Sequence, residues 1–245
     1  MRRVAVTPVR VAGAALLAVA LAMAFSAIVA LVDGGGGSEG LFWSSIITVS
    51  VGAGLFFGSN VSPSADSALA FASVAWSWVA VSLAGALPFL LTGVIPWIRF
   101  DDALFESVSG FTCTGSTILS NFDSIPRGVL FFRSMIQWFG GMGLIVLAVA
   151  ILPALGIGGL DLIASEAPGP TADRLSLRVR DTARRLWLLY GGVTLLIAAA
   201  LLVVGMSIFD AVTHAFTTVA TGGYSPYGES IAHFDSFAVE TVLIV

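Results

Sequence analysis

Residues 105–115, Phe-Glu-Ser-Val-Ser-Gly-Phe-Thr-Cys-Thr-Gly, and residues 213–223, Thr-His-Ala-Phe-Thr-Thr-Val-Ala-Thr-Gly-Gly, are two copies of one pattern, and their setting decides the fold. The copies align without a gap at an offset of 108 residues. Asp102-Ala103 meets Asp210-Ala211, Glu106 meets His214, Ser109 meets Thr217, and Thr112-Cys113-Thr114-Gly115 meets Ala220-Thr221-Gly222-Gly223. Further on, Phe122-Asp123-Ser124 recurs as Phe234-Asp235-Ser236 at a shift of 112, so the second copy carries four extra residues. Each copy follows one apolar run and precedes another, which is the mark of a repeated structural unit.

The flanking runs are Ala68 to Gly93 and Gly128 to Leu152 around the first copy, and Leu186 to Met206 and Phe237 onward around the second. Two more, Val11 to Val32 and Leu41 to Gly58, precede them. A helix crosses a bilayer core with about 20 apolar residues. The first run is too long for the h-region of a signal peptide and is followed at once by others, so it is expected to be a span. Gly34 to Gly40 is expected to be a flexible link, and a turn holding Pro63 and Asp66 separates the second and third runs. The last run stops at Val245, so the final helix is expected to be unfinished and the chain to be a fragment.

Composition agrees. Of 245 residues, 57% are hydrophobic and 11% charged, against roughly a quarter charged in a soluble domain. The net charge is −4, and all eleven basic residues are arginine, so no basic surface for nucleic acid is expected. One cysteine, Cys113, permits neither an internal disulfide nor a cysteine-based zinc cluster. No HExxH pattern and no convergent Ser/His or paired-carboxylate set stands inside the spans, so no enzyme and no cofactor are expected.

Eight of the eleven arginines fall on one side: Arg2, Arg3 and Arg10 before the first span, and Arg174, Arg178, Arg180, Arg184 and Arg185 between the fourth and fifth. Retention of Arg in cytoplasmic loops then puts the N-terminus inside. The segment Asp173 to Arg185 is expected to be a solvated cytoplasmic connector near anionic lipid, with an interfacial or partner-docking surface as the alternative.

The repeat carries the chemistry. A segment of roughly 10–14 residues cannot cross a ~30 Å core and must enter and leave by one face. Irregular backbone at that depth is tolerated where protein buries it or where it lines a water-filled path. Glycine accepts unusual dihedrals, so successive carbonyls can turn toward one axis and replace the hydration shell of a monovalent cation. A short helix aiming its C-terminus at the ion adds negative dipole charge. The fold expected is therefore an all-α polytopic membrane protein of helix–pore-loop–helix repeats, resembling a K⁺ channel.

Three stretches carry a resemblance to a known family: Phe105 to Gly115, then Arg133-Ser134-Met135-Ile136-Gln137-Trp138-Phe139-Gly140-Gly141-Met142-Gly143, then Ala148-Val149-Ala150-Ile151-Leu152-Pro153. They look like the membrane subunit of Trk-type potassium transporters, the TrkH group of the Trk/Ktr/HKT superfamily. His214 to Ser225 resembles that family's second pore loop, which usually has Phe where Tyr224 stands. The resemblance implies four helix–loop–helix repeats around one pore, preceded by two extra helices, with one key glycine from each loop. On that pattern residues 1–67 hold the extra helices, 68–156 the first repeat, 157–185 the Arg-rich connector and 186–245 a truncated second repeat. Thr112, Cys113, Thr114, Gly115, Ala220, Thr221, Gly222 and Gly223 are the expected K⁺ ligands. Cys113 replaces a common Thr, with little loss expected because ligation is by backbone. In plant relatives, serine at the first-loop glycine goes with sodium preference.

The implied function is K⁺ uptake across the cell membrane, with K⁺ the transported ion. The implied partners are the remaining two repeats or a second copy of the chain, a homodimeric assembly, a cytoplasmic nucleotide-binding ring subunit and the bilayer. Rival readings are a Na⁺-conducting or Na⁺/H⁺-coupled transporter of the same fold, and a non-conducting truncated assembly or regulatory subunit. Glu106 and His214 occupy matching positions and either steer ions or serve as caps and interhelical hydrogen bonds. Arg133 either has a role near the outer mouth, forms a structural pair with Glu106, or snorkels. Gly140, Gly141 and Gly143 either hinge the fourth run or let helices pack closely.

Overall fold

The computed structural model describes residues 7–34, 36–59, 67–151 and 171–244. The turn at Pro63 and Asp66, the Leu152-Pro153 end of the third motif and connector residues 157–170 lie outside them. All regular elements among the described residues are helical. In chain order they are α1 (Pro8–Val32), α2 (Ser38–Gly58), α3 (Ser67–Leu91), α4 (Phe100–Phe111), α5 (Arg127–Ile151), α6 (Thr171–Val203), α7 (Ile208–Val219) and α8 (Phe237–Ile244). Short 3-10 turns stand at Trp97–Arg99, Phe122–Ser124 and Ser230–Phe234. The α1, α2 and α3 helices and residues 181–203 of α6 are long and apolar enough to cross a membrane.

Local chemistry sets the boundaries. Pro8 opens α1, where its missing N–H costs nothing. Gly37, at φ +88°, turns the chain into α2, so Ser38-Glu39-Gly40 is helical and the link is shorter than the glycine run suggests. Glu39 in the first turn complements the helix dipole. The α3 helix stops at Leu91, with Gly93 left-handed and the Ile95 N–H bonded back to the Phe89 carbonyl.

A second departure from the expected boundaries lies in the Arg-rich connector. Residues 171–185 are helical and continuous with the fifth apolar run, giving one 33-residue helix of about 50 Å. The apolar run begins only at Leu186, yet arginine is a good helix former, so the backbone makes no break at 185/186.

The core joins α1, α2, α3, α4 and α5 through Met23, Leu41, Phe89, Phe111, Phe132 and Ile136. A smaller cluster of Leu201, Met206, Ala211 and Val239 holds the second repeat. Apolar surface gains little by leaving lipid for protein, so close packing and interhelical hydrogen bonds must hold the helices together. Ser45 Oγ donates to the Ala20 carbonyl (2.8 Å) and Ser107 Oγ to the Ser82 carbonyl (2.7 Å). Gly40 lies so near the end of α3 that a Cβ would sit 2.6 Å from the Leu91 carbonyl carbon, whereas Gly54 faces open space. Gly40→Ala is therefore expected to destabilise the chain by roughly 1–3 kcal/mol. Gly54→Ala should be neutral or stabilising by up to about 1 kcal/mol. Unfolding of the two variants in detergent micelles measures the difference.

Candidate functional site

The two sequence copies fold alike. Helices α4 and α7 are twelve residues each and begin and end at the same 108-residue offset. Acidic residues occupy both first turns, Asp101 and Asp102 in α4 and Asp210 in α7. Ser207 caps α7, accepting from the Asp210 N–H (3.2 Å) while its hydroxyl donates to the Asp210 carboxylate (2.6 Å). The Tyr227 hydroxyl also donates to that carboxylate (2.9 Å), and burial together with this bond pushes the phenol up to about 12, so it remains a donor at neutral pH.

Both helices end in the same capping motif. Thr114 N–H bonds to the Ser109 carbonyl and Cys113 N–H to the Gly110 carbonyl; in the second copy Gly222 bonds to Thr217 and Thr221 to Thr218. This is the Schellman pattern, which needs a left-handed residue just past the helix. Cys113 (φ +55°) and Thr221 (φ +53°) supply it, although neither is glycine and Thr221 is β-branched. Such dihedrals persist where the surroundings over-determine them, and they cluster at functional sites. Gly115 (φ +75°) and Gly223 (φ +78°) follow two residues later. Thr112, Thr114, Thr221 and Gly223 are exposed, Cys113 and Gly115 half-buried, and Ala220 and Gly222 buried. The loops touch, since a Cβ on Gly115 would overlap the Gly222 carbonyl oxygen.

Behind the loops lies a buried polar network. Arg133 on α5 is 1% exposed and Glu106 on α4 is fully buried, with Arg133 Nε 2.8 Å from Glu106 Oε1. Of the sequence readings for Arg133, the pair with Glu106 is present. Its other nitrogens donate to the Ser225 carbonyl (3.1 Å) and to Thr117 Oγ1 (3.1 Å), and its guanidinium lies 4.0 Å from the Tyr224 ring centroid. Glu106 also accepts from Thr117 Oγ1 (2.9 Å) and the Ile118 N–H (3.2 Å). The second copy repeats this tie with different chemistry. His214 Nδ1 lies 2.8 Å from the Asp210 carbonyl, an acceptor only, so Nδ1 carries the proton. Its Nε2 meets Ser225 Oγ at 3.3 Å, and Ser225 stands eleven residues past His214 as Thr117 stands past Glu106. Both side chains thus fasten a short helix to the segment leaving its loop.

Sequence reasoning overlooked Gln137 and the Tyr224 hydroxyl. Gln137 is fully buried on α5, donates Nε2–H to the Gly222 carbonyl (2.9 Å) and accepts at Oε1 from the Tyr224 N–H (3.1 Å). Cys113 Sγ donates to the Gln137 carbonyl (3.3 Å). In return Tyr224 Oη donates to the Glu106 carbonyl of α4 (2.9 Å), so each repeat holds the other's pore segment. An amide inside an apolar run needs partners for both its ends, and that signal marked Gln137. Gln137→Leu would strand one buried carbonyl and one buried N–H, and is expected to cost roughly 2–4 kcal/mol by unfolding in micelles. Gly140 and Gly141 serve close packing: a Cβ on Gly140 would overlap the Phe111 carbonyl, and one on Gly141 would come within 2.7 Å of Tyr190 Oη. Gly143 has ordinary room, 3.6 Å from the Trp78 indole.

A sequence model of the TrkH family, described as cation transport protein, matches residues 38–245. The chain is 46% identical over 176 residues to the Trk system potassium uptake protein TrkH of Vibrio parahaemolyticus, covering 71% of this chain and 36% of that protein. It is 47% identical over 176 residues, with the same coverage, to the TrkH of Escherichia coli K12. It is 42% identical over 173 residues to the TrkG of the same strain, covering 70% of this chain and 36% of that one. Its structure superposes on the crystal structure of the potassium transporter TrkH from Vibrio parahaemolyticus with a TM-score of 0.82 and 36% identity, over 96% of this chain and 47% of that one. The chain therefore spans about a third of the length of these curated relatives and about half of the crystallised chain.

Proposed function

The chain belongs to the TrkH family of cation transport proteins, and from that premise we propose that it supplies two of the pore loops through which a membrane protein takes up K⁺. The observation that carries the reading is the duplicated loop backbone. In each loop the sign of φ changes from residue to residue: Thr112 −83° and Cys113 +55°, then Gly115 +75°; Ala220 −74° and Thr221 +53°, then Gly223 +78°. Such alternation turns successive carbonyls to one side instead of to opposite sides, and carbonyls on one side can replace water around a desolvated monovalent cation. The C-termini of α4 and α7 end at these carbonyls, so their dipoles favour a cation there. No bond is made or broken, and the ion moves down its electrochemical gradient.

Two loops fill half of a fourfold coordination shell. The remaining ligands come from two further repeats or from a second copy of the chain, within a homodimeric assembly at the cell membrane served by a cytoplasmic nucleotide-binding ring subunit. The arginine distribution puts the N-terminus and residues 171–185 in the cytoplasm and Asp123 and Ser230 outside.

The test is uptake in a host lacking its own K⁺ uptake systems, with the chain expressed alone and together with two further repeats. K⁺ uptake in the second case, preferred over Na⁺, is the expected result. Na⁺ uptake at the same level would favour the sodium-conducting alternative, and no uptake in any combination would favour the non-conducting one. Cysteine labelling of intact cells tests the orientation: position 123 should react from outside and position 180 should not.

A further inference from the structure

We propose that an anionic phospholipid of the cytoplasmic leaflet inserts an acyl chain beneath the first pore loop, with its headgroup held by Arg184 and Arg185. The seat is an open-sided cavity of about 350 Å³ bounded by α1, α3, α5 and the end of α4, with Trp187 of α6 at its edge. Its wall includes Ala15, Ala18, Trp78, Phe111, Gly143 and Trp187. Apart from the indole N–H groups of Trp78 and Trp187, Ser77 carries the one polar side-chain group in the lining, and its hydroxyl is committed to the Ser73 carbonyl at 2.7 Å. A wall so nearly apolar holds water poorly: an apolar cavity of roughly 150 Å³ stays dry and takes up benzene. The cavity is open on one side, so in a membrane its apolar wall is within reach of lipid. Within a bilayer the abundant apolar molecule is the lipid tail.

Position and charge select which lipid. The lining comes from the first half of α1 and α3 and the second half of α5, the ends that the arginine distribution places toward the cytoplasm. Trp187, half-exposed at the cavity edge, has Arg184 one turn before it on the same helix face and Arg185 beside that, both exposed. Two guanidiniums at the level where a chain enters fit a negatively charged headgroup. The floor of the cavity is Phe111, the last residue of α4, and the Phe111 carbonyl lies hard against Gly140. A bound chain therefore braces the end of α4 from below.

The inner-leaflet assignment rests on the orientation proposed above, which the labelling of positions 123 and 180 tests on its own; lipid binding is read without any transport assay. The 245-residue chain is reconstituted in nanodiscs with phosphatidylglycerol or phosphatidylcholine brominated along the acyl chain, and tryptophan quenching is followed. The difference between the unmodified chain and Trp78→Phe isolates the Trp78 signal. Trp78 quenching by the glycerol lipid should half-saturate at about fivefold lower mole fraction than by the choline lipid. Arg184→Gln/Arg185→Gln, at exposed positions, should bring the two curves together, and Ala15→Phe/Ala18→Phe should remove Trp78 quenching by either lipid. Superimposed curves for the unmodified chain, or lipid preference retained without both arginines, would overturn the headgroup site. Absence of Trp78 quenching would overturn the acyl-chain site, and show the cavity filled by protein.

Discussion

Replacing Arg133 by methionine is expected to destabilise the chain by roughly 3–5 kcal/mol, because it leaves the buried Glu106 carboxylate without its counter-charge. The pair is 1% and 0% exposed, so solvent cannot screen the loss. Four other partners lose contact with the guanidinium at the same time: Thr117, the Ser225 carbonyl and the faces of Tyr224 and Phe122. The double replacement Glu106→Gln/Arg133→Met should recover much of the deficit, since replacing both ions of a buried pair is far milder than removing one. Denaturant unfolding in micelles of the two single variants and the double variant gives the coupling. Additive losses would mean that the two side chains do not depend on each other.

The second large effect is on selectivity. In an assembly that conducts, Gly115→Ser should reduce the preference for K⁺ over Na⁺ tenfold or more, about 1.4 kcal/mol. Two independent causes act at this residue. Its φ of +75° disfavours any side chain, and a Cβ would overlap the Gly222 carbonyl oxygen of the other loop. Gly223, at φ +78° but with open space around its Cβ position, has only the first cause, so Gly223→Ser should be milder. Competition of Na⁺ against Rb⁺ uptake at matched expression ranks them. Equal selectivity in both variants and the parent would remove these loops from the filter.

Much of this architecture was legible because it is written in periods. Apolar runs located α1, α2, α3 and α5 to within a few residues, and the 108-residue offset located α4 and α7 and the loops beyond them. Where legibility failed, the cause is local. Polar residues end an apolar run without ending a helix, so the part of α6 before Leu186 was invisible in the apolar pattern. Conversely, Ser38-Glu39-Gly40 belongs to α2 although its composition is that of a linker. At the site, the matching of Glu106 with His214 could be read from position, but not their shared task of fastening the outgoing segment, because a carboxylate and an imidazole perform it with different chemistry. The grip of Gln137 on Gly222 and Tyr224 joins residues more than eighty apart, a pairing that only the packed structure reveals.

Anomalous diffraction from Rb⁺-soaked crystals of the chain assembled with its remaining repeats tests the central claim most directly. The account predicts anomalous density on the axis beside the carbonyls of Thr112 to Gly115 and Ala220 to Gly223, lost when Gly115 is replaced by serine. Rb⁺ bound elsewhere along the pore, with none beside these two loops, would contradict it.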